Sequence, residues 1–384
     1  MRYLLITNDF YPNNIGGMTH YYTELARAFG KESLVVLTVA AEVPSDKPDP
    51  CTVVRTTVNN SGSGKFFGKR AMRKEAFRIV RDEKIDVLLC GNVRPYGDVA
   101  FDIHKTLGIP YYIFFHGNDL LRILTRMNRY ILKRIAYGRM LDAAQGFIAN
   151  SRYVMGLIPS QFTRNKNLIV LNPGVGKDFE NLAVERPFRE KDRVRLLTVG
   201  RLVPRKGVLQ VIEALALLKD SYPGLTYDVV GGGDSSEYRK KAGSLGLGDR
   251  VIFHGFRSGD EVMEHFRSCD VFVMVSHASD KDNDVEGFGI VYLEANAFGK
   301  PVIGSASGGI PDAVEDGVTG RLVKDPFDPR EIADAISWMC EHPDQAAAMG
   351  EAGRQRVNRS FTYPVLAERL KTKIRPEGKK SGKE

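Results

Sequence analysis

Two carboxylates, Glu286 and Glu294, bracket the segment Gly-Phe-Gly-Ile-Val-Tyr-Leu. On one continuous helix they would lie about 12 Å apart along the axis and differ by about 80° in direction. They therefore cannot share one proton or one metal ion. Gly287 and Gly289 predict that Glu286 lies in a loop entering a helix, with Glu294 about one turn inside it. The amides between them would point outward at a helix N-terminus, where anions bind. An anion flanked by two separated carboxylates suits an extended polyhydroxylated phosphate, one carboxylate for each sugar ring. The spacing alone recurs by chance, and a solvated helix carboxylate is the plain alternative.

A second group of chemical side chains follows the apolar run Leu196–Val199, in Gly200-Arg201-Leu-Val-Pro-Arg205-Lys206-Gly207. Arg201 and Lys206 sit past a strand's carboxyl end on a Gly-bounded turn, where a diphosphate would be met. Arginine offers a planar fork and lysine a point charge. Arg205 is expected at the surface. His116 closes another apolar run, in Phe114-Phe115-His116-Gly117-Asn118-Asp119.

The elements that must position these groups form two series of strands alternating with helices, the pattern of parallel sheets covered by helices on both faces. The first runs through Arg2–Thr7, Leu34–Val39, Val53–Thr57, Val87–Leu89, Tyr111–Phe115, Gly146–Ala149 and Leu168–Leu171, with helical patterns at Thr19–Phe29, Lys69–Glu83 and Leu120–Leu141. The second runs through Arg195–Val199, Thr226–Val230, Val251–Phe253, Val271–Val275, Pro301–Ser305 and Leu322, with helices at Val208–Asp220, Asp260–Arg267, Phe288–Phe298 and Pro329–Glu341. Residues 1–172 and 194–364 are expected to be separate doubly wound domains, with 173–193 as a linker. Residues 365–384 are expected to be a helix returning to the first domain plus a frayed polar tail. Ligands of such sheets bind outside the carboxyl ends of the strands, and two such domains imply a cleft between them.

Composition narrows the class. The 384 residues are 43% hydrophobic and 27% charged, which excludes whole-chain disorder. Four cysteines, none nearer than 39 positions to the next (Cys51, Cys90, Cys269, Cys340), fit neither a disulfide scaffold nor structural zinc. The N-terminal apolar run is too short for a signal peptide, and no stretch is long enough to span a membrane. A cytoplasmic protein is expected.

Read together, the motifs have a family resemblance. Gly200-Arg201…Lys206-Gly207, Glu286-x7-Glu294, Gly299-Lys-Pro-Val, Gly308-Gly-Ile-Pro-Asp312 and Glu315-Asp-Gly-x-x-Gly320 occur in this order. They resemble the retaining GT-B glycosyltransferases of family 4, over nearly the whole chain. The resemblance implies two Rossmann-like domains, the acceptor mostly on the first and the nucleotide-sugar donor on the second, and no requirement for a metal. It implies that Arg201 and Lys206 neutralise the leaving diphosphate, that Glu286 holds hydroxyls of the transferred sugar, and that Glu294 accepts from the ribose. Phe288, Gly289 and Ile290 would present amides to the donor, and backbone near Phe256 and Arg257 would meet the base. Gly16 and Gly17 would let the backbone approach the donor phosphate. His116 would lie beneath the transferred sugar. His20 and Asp119 are candidates for acceptor contact. One position departs from the family: in Asn172-Pro-Gly-Val-Gly176, Gly176 stands where Asp is usual. The glycine string Val230-Gly-Gly-Gly-Asp234 serves either nucleotide approach or a plain turn.

The net charge of +8 is uneven. Residues 1–180 carry 25 Lys+Arg against 16 Asp+Glu, or +9; the remainder carries 30 against 31, or −1. Arg122, Arg126, Arg129 and Lys133 fall at helical spacing opposite Leu121, Leu124, Met127, Ile131 and Ile135. A basic amphipathic helix of this kind, with the basic-aromatic stretch from Lys65 to Lys74, predicts contact with an anionic membrane surface; a core helix with a solvated basic face is the alternative. Nucleic acid is a poorer partner, since no known module is present. The activity expected is transfer of a hexose from a nucleotide diphosphate sugar to a hydroxyl acceptor, lipid-linked or part of a cell-envelope glycan, as in the phosphatidylinositol mannosyltransferase-like members. A nucleotide-sugar 2-epimerase and a catalytically silent membrane-binding scaffold are the rivals. A nicotinamide enzyme would need G-x-G-x-x-G after the first strand, and residues 7–20 lack it.

Overall fold

The computed structural model describes residues 1–12, 16–40, 49–56, 64–182, 193–278 and 285–374, with backbone only for 64–69. The tail from Pro376, residues 183–192 of the expected linker and the side chains at 65–69 lie outside the described residues.

Two compact units divide the chain: Met1–Gly176 with Tyr363–Glu384, and Lys177–Thr362. Read from the sequence, 173–193 is a linker and the chain returns at 365; the division between the units falls between Gly176 and Lys177 and again before Tyr363.

The first unit holds a seven-stranded sheet: β1 (Tyr3–Ile6), β2 (Leu34–Val39), β3 (Thr52–Thr56), β4 (Val87–Cys90), β5 (Tyr111–Phe115), β6 (Gly146–Ala149) and β7 (Asn167–Val170), in the order 3-2-1-4-5-6-7. Every pairing is parallel. β1, β2, β4, β5 and β6 are buried at every residue, as strands covered on both faces must be. Alternate residues feed different cores: Leu4 and Ile6 pack with Ile113 and Phe115, while Tyr3 and Leu5 pack on the opposite face with Phe114. That second face is closed by the helix Gly17–Phe29 and by the C-terminal helix Tyr363–Lys373, whose Leu366 and Leu370 join Leu25 and Phe29 in one cluster.

The second unit repeats the plan with β8 (Arg195–Val199), β9 (Thr226–Val230), β10 (Val251–Gly255), β11 (Val271–Val273), β12 (Val302–Ser305) and β13 (Gly320–Val323), in the order 10-9-8-11-12-13. In both sheets the strand order reverses beside the first strand, at β1/β4 and at β8/β11, and ligands of doubly wound sheets bind at that reversal.

Two helical expectations change. The single helix over Leu120–Leu141 is two, Asn118–Arg129 and Ile131–Ala143, broken where Tyr130 takes an extended conformation. Its apolar side is therefore not one stripe. Leu120, Ile123 and Met127 are buried, whereas Ile131 and Ile135 are exposed. The break re-phases the second helix, so spacing counted through it points the wrong way. The helix Pro343–Ser360 was not foreseen. Its buried stripe is Ala346, Gly350, Gly353 and Val357, too small and weakly apolar to register as a periodic signal.

Candidate active site

The loops leaving the second sheet are tied together by their backbones. Gly200 N donates to Val230 O and Leu202 N to Gly232 O, each at 2.9 Å, and Gly231 N donates to Gly255 O at 2.9 Å. The β8 loop, the glycine string after β9 and the end of β10 thus form one continuous rim. Phe256, next along, is 71% exposed, and the Arg257 guanidinium folds back on the Phe256 carbonyl at 3.0 Å.

On this rim Lys206 Nζ donates to Glu286 Oε2 at 2.6 Å, and Arg205 Nη1 donates to the same oxygen at 3.1 Å. All three side chains are largely buried. Burial alone would raise the Glu286 pKa; Lys206, then Arg205, outweigh it, and the carboxyl is held below its usual range. The surface position expected for Arg205 is therefore corrected: it is a partner of the central carboxylate, while Arg201 is the exposed member of the loop. The sequence carried no mark of this, since it is the short 3₁₀ turn Pro204–Lys206 that brings both neighbouring cations to Glu286. Among the described residues two cations meet one carboxylate here, with Arg201 in the same loop, an arrangement that can attract an anion.

Glu286 is positioned from both ends of its segment. Its carbonyl accepts from Gly309 N at 2.9 Å, which gives Gly308-Gly309 a structural task. Three residues on, Gly289 (φ +90°) caps the helix Ile290–Ala297, and a Cβ there would lie 2.6 Å from the Tyr292 ring. Only glycine meets both conditions. The Tyr292 hydroxyl donates to Met274 O, locking the helix start against the end of β11. The Phe288 side chain is core, packed beside Phe361, so only its backbone can serve a ligand. Glu294 lies about a turn inside the helix. It has no hydrogen-bond or ion-pair partner among the described residues, and burial pushes its carboxyl up to about 7.

The first unit carries a second polar cluster at its own strand reversal. His116, just past β5, stacks on Phe114 with ring centroids 6.2 Å apart and planes 2° apart. Its Nε2 is 2.6 Å from the Tyr22 hydroxyl, which itself donates to Gly91 O. A carbonyl can only accept, so the tyrosine proton is committed to Gly91 and Nε2 must carry the histidine proton. His116 Nδ1 is then an acceptor, with no partner among the described residues. Burial drives the imidazole pKa down to about 3, so the ring is neutral at physiological pH. Asp119 Oδ1 accepts from His116 N at 2.9 Å, and burial raises that carboxyl to about 6. Sequence reasoning missed Tyr22, because a tyrosine on the inner face of a helix reads as core.

The remaining candidates divide. Gly16 is extended (φ 175°), and a Cβ at Gly16 or Gly17 would meet nothing within 4 Å, so the fold does not itself demand glycine there. His20 packs edge-on to Tyr363 at 6.0 Å. A Cβ at Gly176 would lie 2.9 Å from the His20 ring, which explains why a side chain is absent where Asp was expected. Arg122, Arg126 and Arg129 are exposed, and Lys133 lies over the Tyr130 ring at 4.3 Å.

Comparison with known proteins bears on both units. Residues 15–179 match the Glycosyltransferase Family 4 model, and residues 179–356 match that of Glycosyl transferases group 1. The chain is 36% identical over 376 residues to a GDP-mannose-dependent alpha-(1-6)-phosphatidylinositol monomannoside mannosyltransferase of Mycolicibacterium smegmatis, covering 96% of each chain. It is 29% identical over 379 residues to the Mycobacterium tuberculosis protein of the same name, covering 96% of this chain and 97% of that one. Among solved structures, Anabaena HepE in complex with UDP superposes with a TM-score of 0.74 at 20% identity, covering 97% of this chain and 99% of that one. Sucrose-phosphate synthase from Thermosynechococcus elongatus superposes at 0.73 with 21% identity and 97% coverage of both. These two likenesses establish the GT-B fold.

Opposite electrostatics at the two glutamates give opposite outcomes for their amides. The Glu294 pKa is raised, so its charged form opposes folding as pH climbs from about 4.5 through 7. Glu294→Gln is expected to raise Tm by a few degrees at pH 8 and to have no effect near pH 4. The Glu286 pKa is depressed, so its stabilisation is present above about 4.5 and is lost as pH falls. Glu286→Gln is expected to lower stability at pH 8 by about 3 kcal/mol, since it removes the carboxylate charge that Lys206 and Arg205 share. Thermal melts of both variants at the two pH values check the signs.

A Tyr22→Phe change removes the acceptor for His116 Nε2–H. The ¹⁵N shifts of His116 are expected to move from the Nε2–H tautomer towards a mixture; unchanged shifts would contradict the assigned proton.

Proposed function

The chain belongs to the glycosyl transferases group 1 family, its first half matching Glycosyltransferase Family 4, and on that footing we propose that it is a retaining, metal-independent mannosyltransferase using GDP-mannose and a lipid-linked acceptor. The observation that carries the reading is the cation-rich cluster of Arg205, Lys206 and Glu286 at the end of β8, beside a helix N-terminus. GDP-mannose is favoured because the two mannosyltransferases compared above, like others that match over almost the full chain, are named for it. The phosphatidylinositol mannoside in those names supports a glycolipid acceptor.

In this reading Lys206 and Arg201 bind the diphosphate and take up the charge that develops on it as the sugar leaves. Preorganised donors do this without reorganisation at the moment of reaction, and the cations of this loop supply the charge that a divalent metal would otherwise bring. Glu286, fixed by its two cations and by Gly309, accepts from hydroxyls of the transferred mannose. Glu294, unpaired and raised in pKa, gains hydroxyl donors from the ribose. His116 offers Nδ1 to a sugar hydroxyl, in the tautomer set by Tyr22. Gly16 and Gly17 give the donor phosphate close access to backbone amides. The acceptor oxygen forms a bond to the anomeric carbon as the bond from that carbon to the phosphate oxygen breaks. The acceptor's proton passes to the leaving phosphate on the same face, so configuration is retained.

Membrane attachment is part of the proposal. Among the described residues no helix is long and apolar enough to cross a membrane. The break at Tyr130 exposes Ile131 (58%), Leu132 (78%) and Ile135 (53%) beside Arg122, Arg126, Arg129 and Lys133. Apolar side chains flanked by cations suit the headgroup region of an anionic leaflet, and a peripheral site on the cytoplasmic face follows.

With EDTA present, GDP and GDP-mannose are expected to stabilise the protein by about 2.7 kcal/mol at 100 times Kd, and UDP- and ADP-sugars to do so far less. Lys206→Ala should remove most of the shift and cut turnover by about 10²–10³. An absolute requirement for divalent metal, or a preference for another base, would overturn the corresponding part of the reading.

Replacing Arg122, Arg126 and Arg129 together with Gln is expected to weaken sedimentation with phosphatidylglycerol vesicles, by about 1 kcal/mol per arginine at low salt. Equal binding by the variant and the parent would refute the membrane surface.

A further inference from the structure

The turn that brings Arg205 and Lys206 to Glu286 is held by a residue with no part in the chemistry above, His277, four positions past the end of β11. His277 N donates to Arg205 O at 2.9 Å. His277 Nε2 lies 3.2 Å from Pro204 O. The main chain and ring of one residue thus meet two successive carbonyls of the 3₁₀ turn Pro204–Lys206. Pro204 O also accepts from Gly207 N at 3.1 Å, so both of its lone pairs are in use. Gly207 closes the turn with φ +75°, and a Cβ there would lie 2.5 Å from Val275 O. The turn therefore sits directly on residues 275–277.

Those residues are themselves anchored. Met274 N donates to Ile303 O at 3.0 Å, and the Ser305 hydroxyl donates to Ser276 O, which ties the segment to β12. Phe327 packs against the His277 ring with centroids 4.3 Å apart. The segment after β11 is thus a fixed post for the turn. Of its two bonds to the turn, the main-chain one would survive any substitution except proline, and the ring one depends on the histidine.

The ring carries a further condition. A carbonyl can only accept. Nε2 faces Pro204 O and Nδ1 faces Ala278 O at 3.0 Å, so both contacts are hydrogen bonds only when both nitrogens carry protons. That is the imidazolium form, and histidine ordinarily changes charge between pH 5 and 8. In the neutral ring one nitrogen turns a lone pair towards a carbonyl oxygen. We propose that His277 is a positioning residue for the cation turn: as the imidazolium it pins Pro204–Lys206, and so sets how firmly Arg205 and Lys206 meet a phosphorylated ligand. The proposal rests on the transferase reading only for the identity of that ligand; the pin itself stands on the His277 contacts. Charged groups on the neighbouring elements are Arg205, Lys206 and Glu286, then Lys324, Asp325 and Asp328 around Phe327, and Asp280, Lys281, Asp282 and Asp284 next in sequence. A Gln at 277 leaves all of them in place, keeps an N–H donor for Pro204 O and removes the titration.

The test uses the full chain, with GDP and inorganic pyrophosphate as probes and calorimetry at pH 6 and pH 8.5, on the parent, His277→Ala and His277→Gln. At pH 6 His277→Ala is expected to weaken binding about tenfold, the scale of one charge-assisted hydrogen bond, and His277→Gln by about threefold or less. At pH 8.5 the gap between parent and His277→Ala should narrow to about threefold, while the gap between the two variants stays the same at both pH values. In a turnover assay His277→Ala should lower kcat about tenfold and leave the acceptor KM within about twofold. In the ligand-free protein the Glu286 carboxyl ¹³C shift is expected to follow the His277 ring with one midpoint, and to lose that step in His277→Gln. Pyrophosphate binding with this pattern, in a protein that ignores GDP, would keep the pin and discard the nucleotide reading. GDP binding that neither variant alters, or that both weaken equally at both pH values, would overturn the proposal and leave that reading standing. A Glu286 shift that is flat through the His277 titration would overturn it whatever the ligand.

Discussion

Glu286 accepts from two cations through one oxygen, and much of the second unit's site is organised by that arrangement. The carboxylate is fixed by Lys206 and Arg205, which belong to the turn after β8. Its own backbone is held by Gly309, from the segment after β12. Two strand-end loops are thereby bound to one residue of a third. Among the described residues two cations meet one carboxylate there, and the proposed function places a diphosphate beside them. The energetic logic is that of a buried network: it is stable only while each member is answered, and an anionic ligand enters by joining the network.

The two glutamates show how one short segment supports two different electrostatic states. Eight positions apart, they occupy a loop and a helix turn, and their environments separate them further. Glu286 is matched and strongly ionised; Glu294 has no charged partner and is poised near neutrality. A carboxyl held at that point is a poor contributor to folding and a ready acceptor for hydroxyl donors. The first unit has a parallel feature. His116 is kept neutral by burial and given one tautomer by Tyr22, so it too presents an acceptor. Both units thus offer oxygens and an imidazole nitrogen to hydroxyl groups, which is the chemistry that a sugar requires.

Much of this was legible before any coordinates. Parallel strands buried on both faces leave continuous apolar runs such as Tyr111–Phe115, and these set the strand positions to within a residue or two. The loop-to-helix reading of Glu286 and Glu294 followed from Gly287 and Gly289, because glycine before a helix marks its start. The single helix drawn through 120–141 did not survive, because one extended residue, Tyr130, re-phases everything after it, and spacing cannot reveal a break that costs no apolar residue. The helix 343–360 escaped because its contact face is made of Ala and Gly.

The sequence by itself determined the fold class, the order of the motifs and the residue types of the loop after β8, since these depend on local periodicity and on glycine placement. Tertiary structure alone decided that Arg205 joins Lys206 on Glu286 and which nitrogen of His116 carries the proton. Each of those is a relation between strand ends far apart in the chain: Arg205 with Glu286, and Tyr22 with Gly91 and His116. Such relations arise only when parallel pairing brings the carboxyl ends of separate strands to one edge, and no spacing along the chain encodes them.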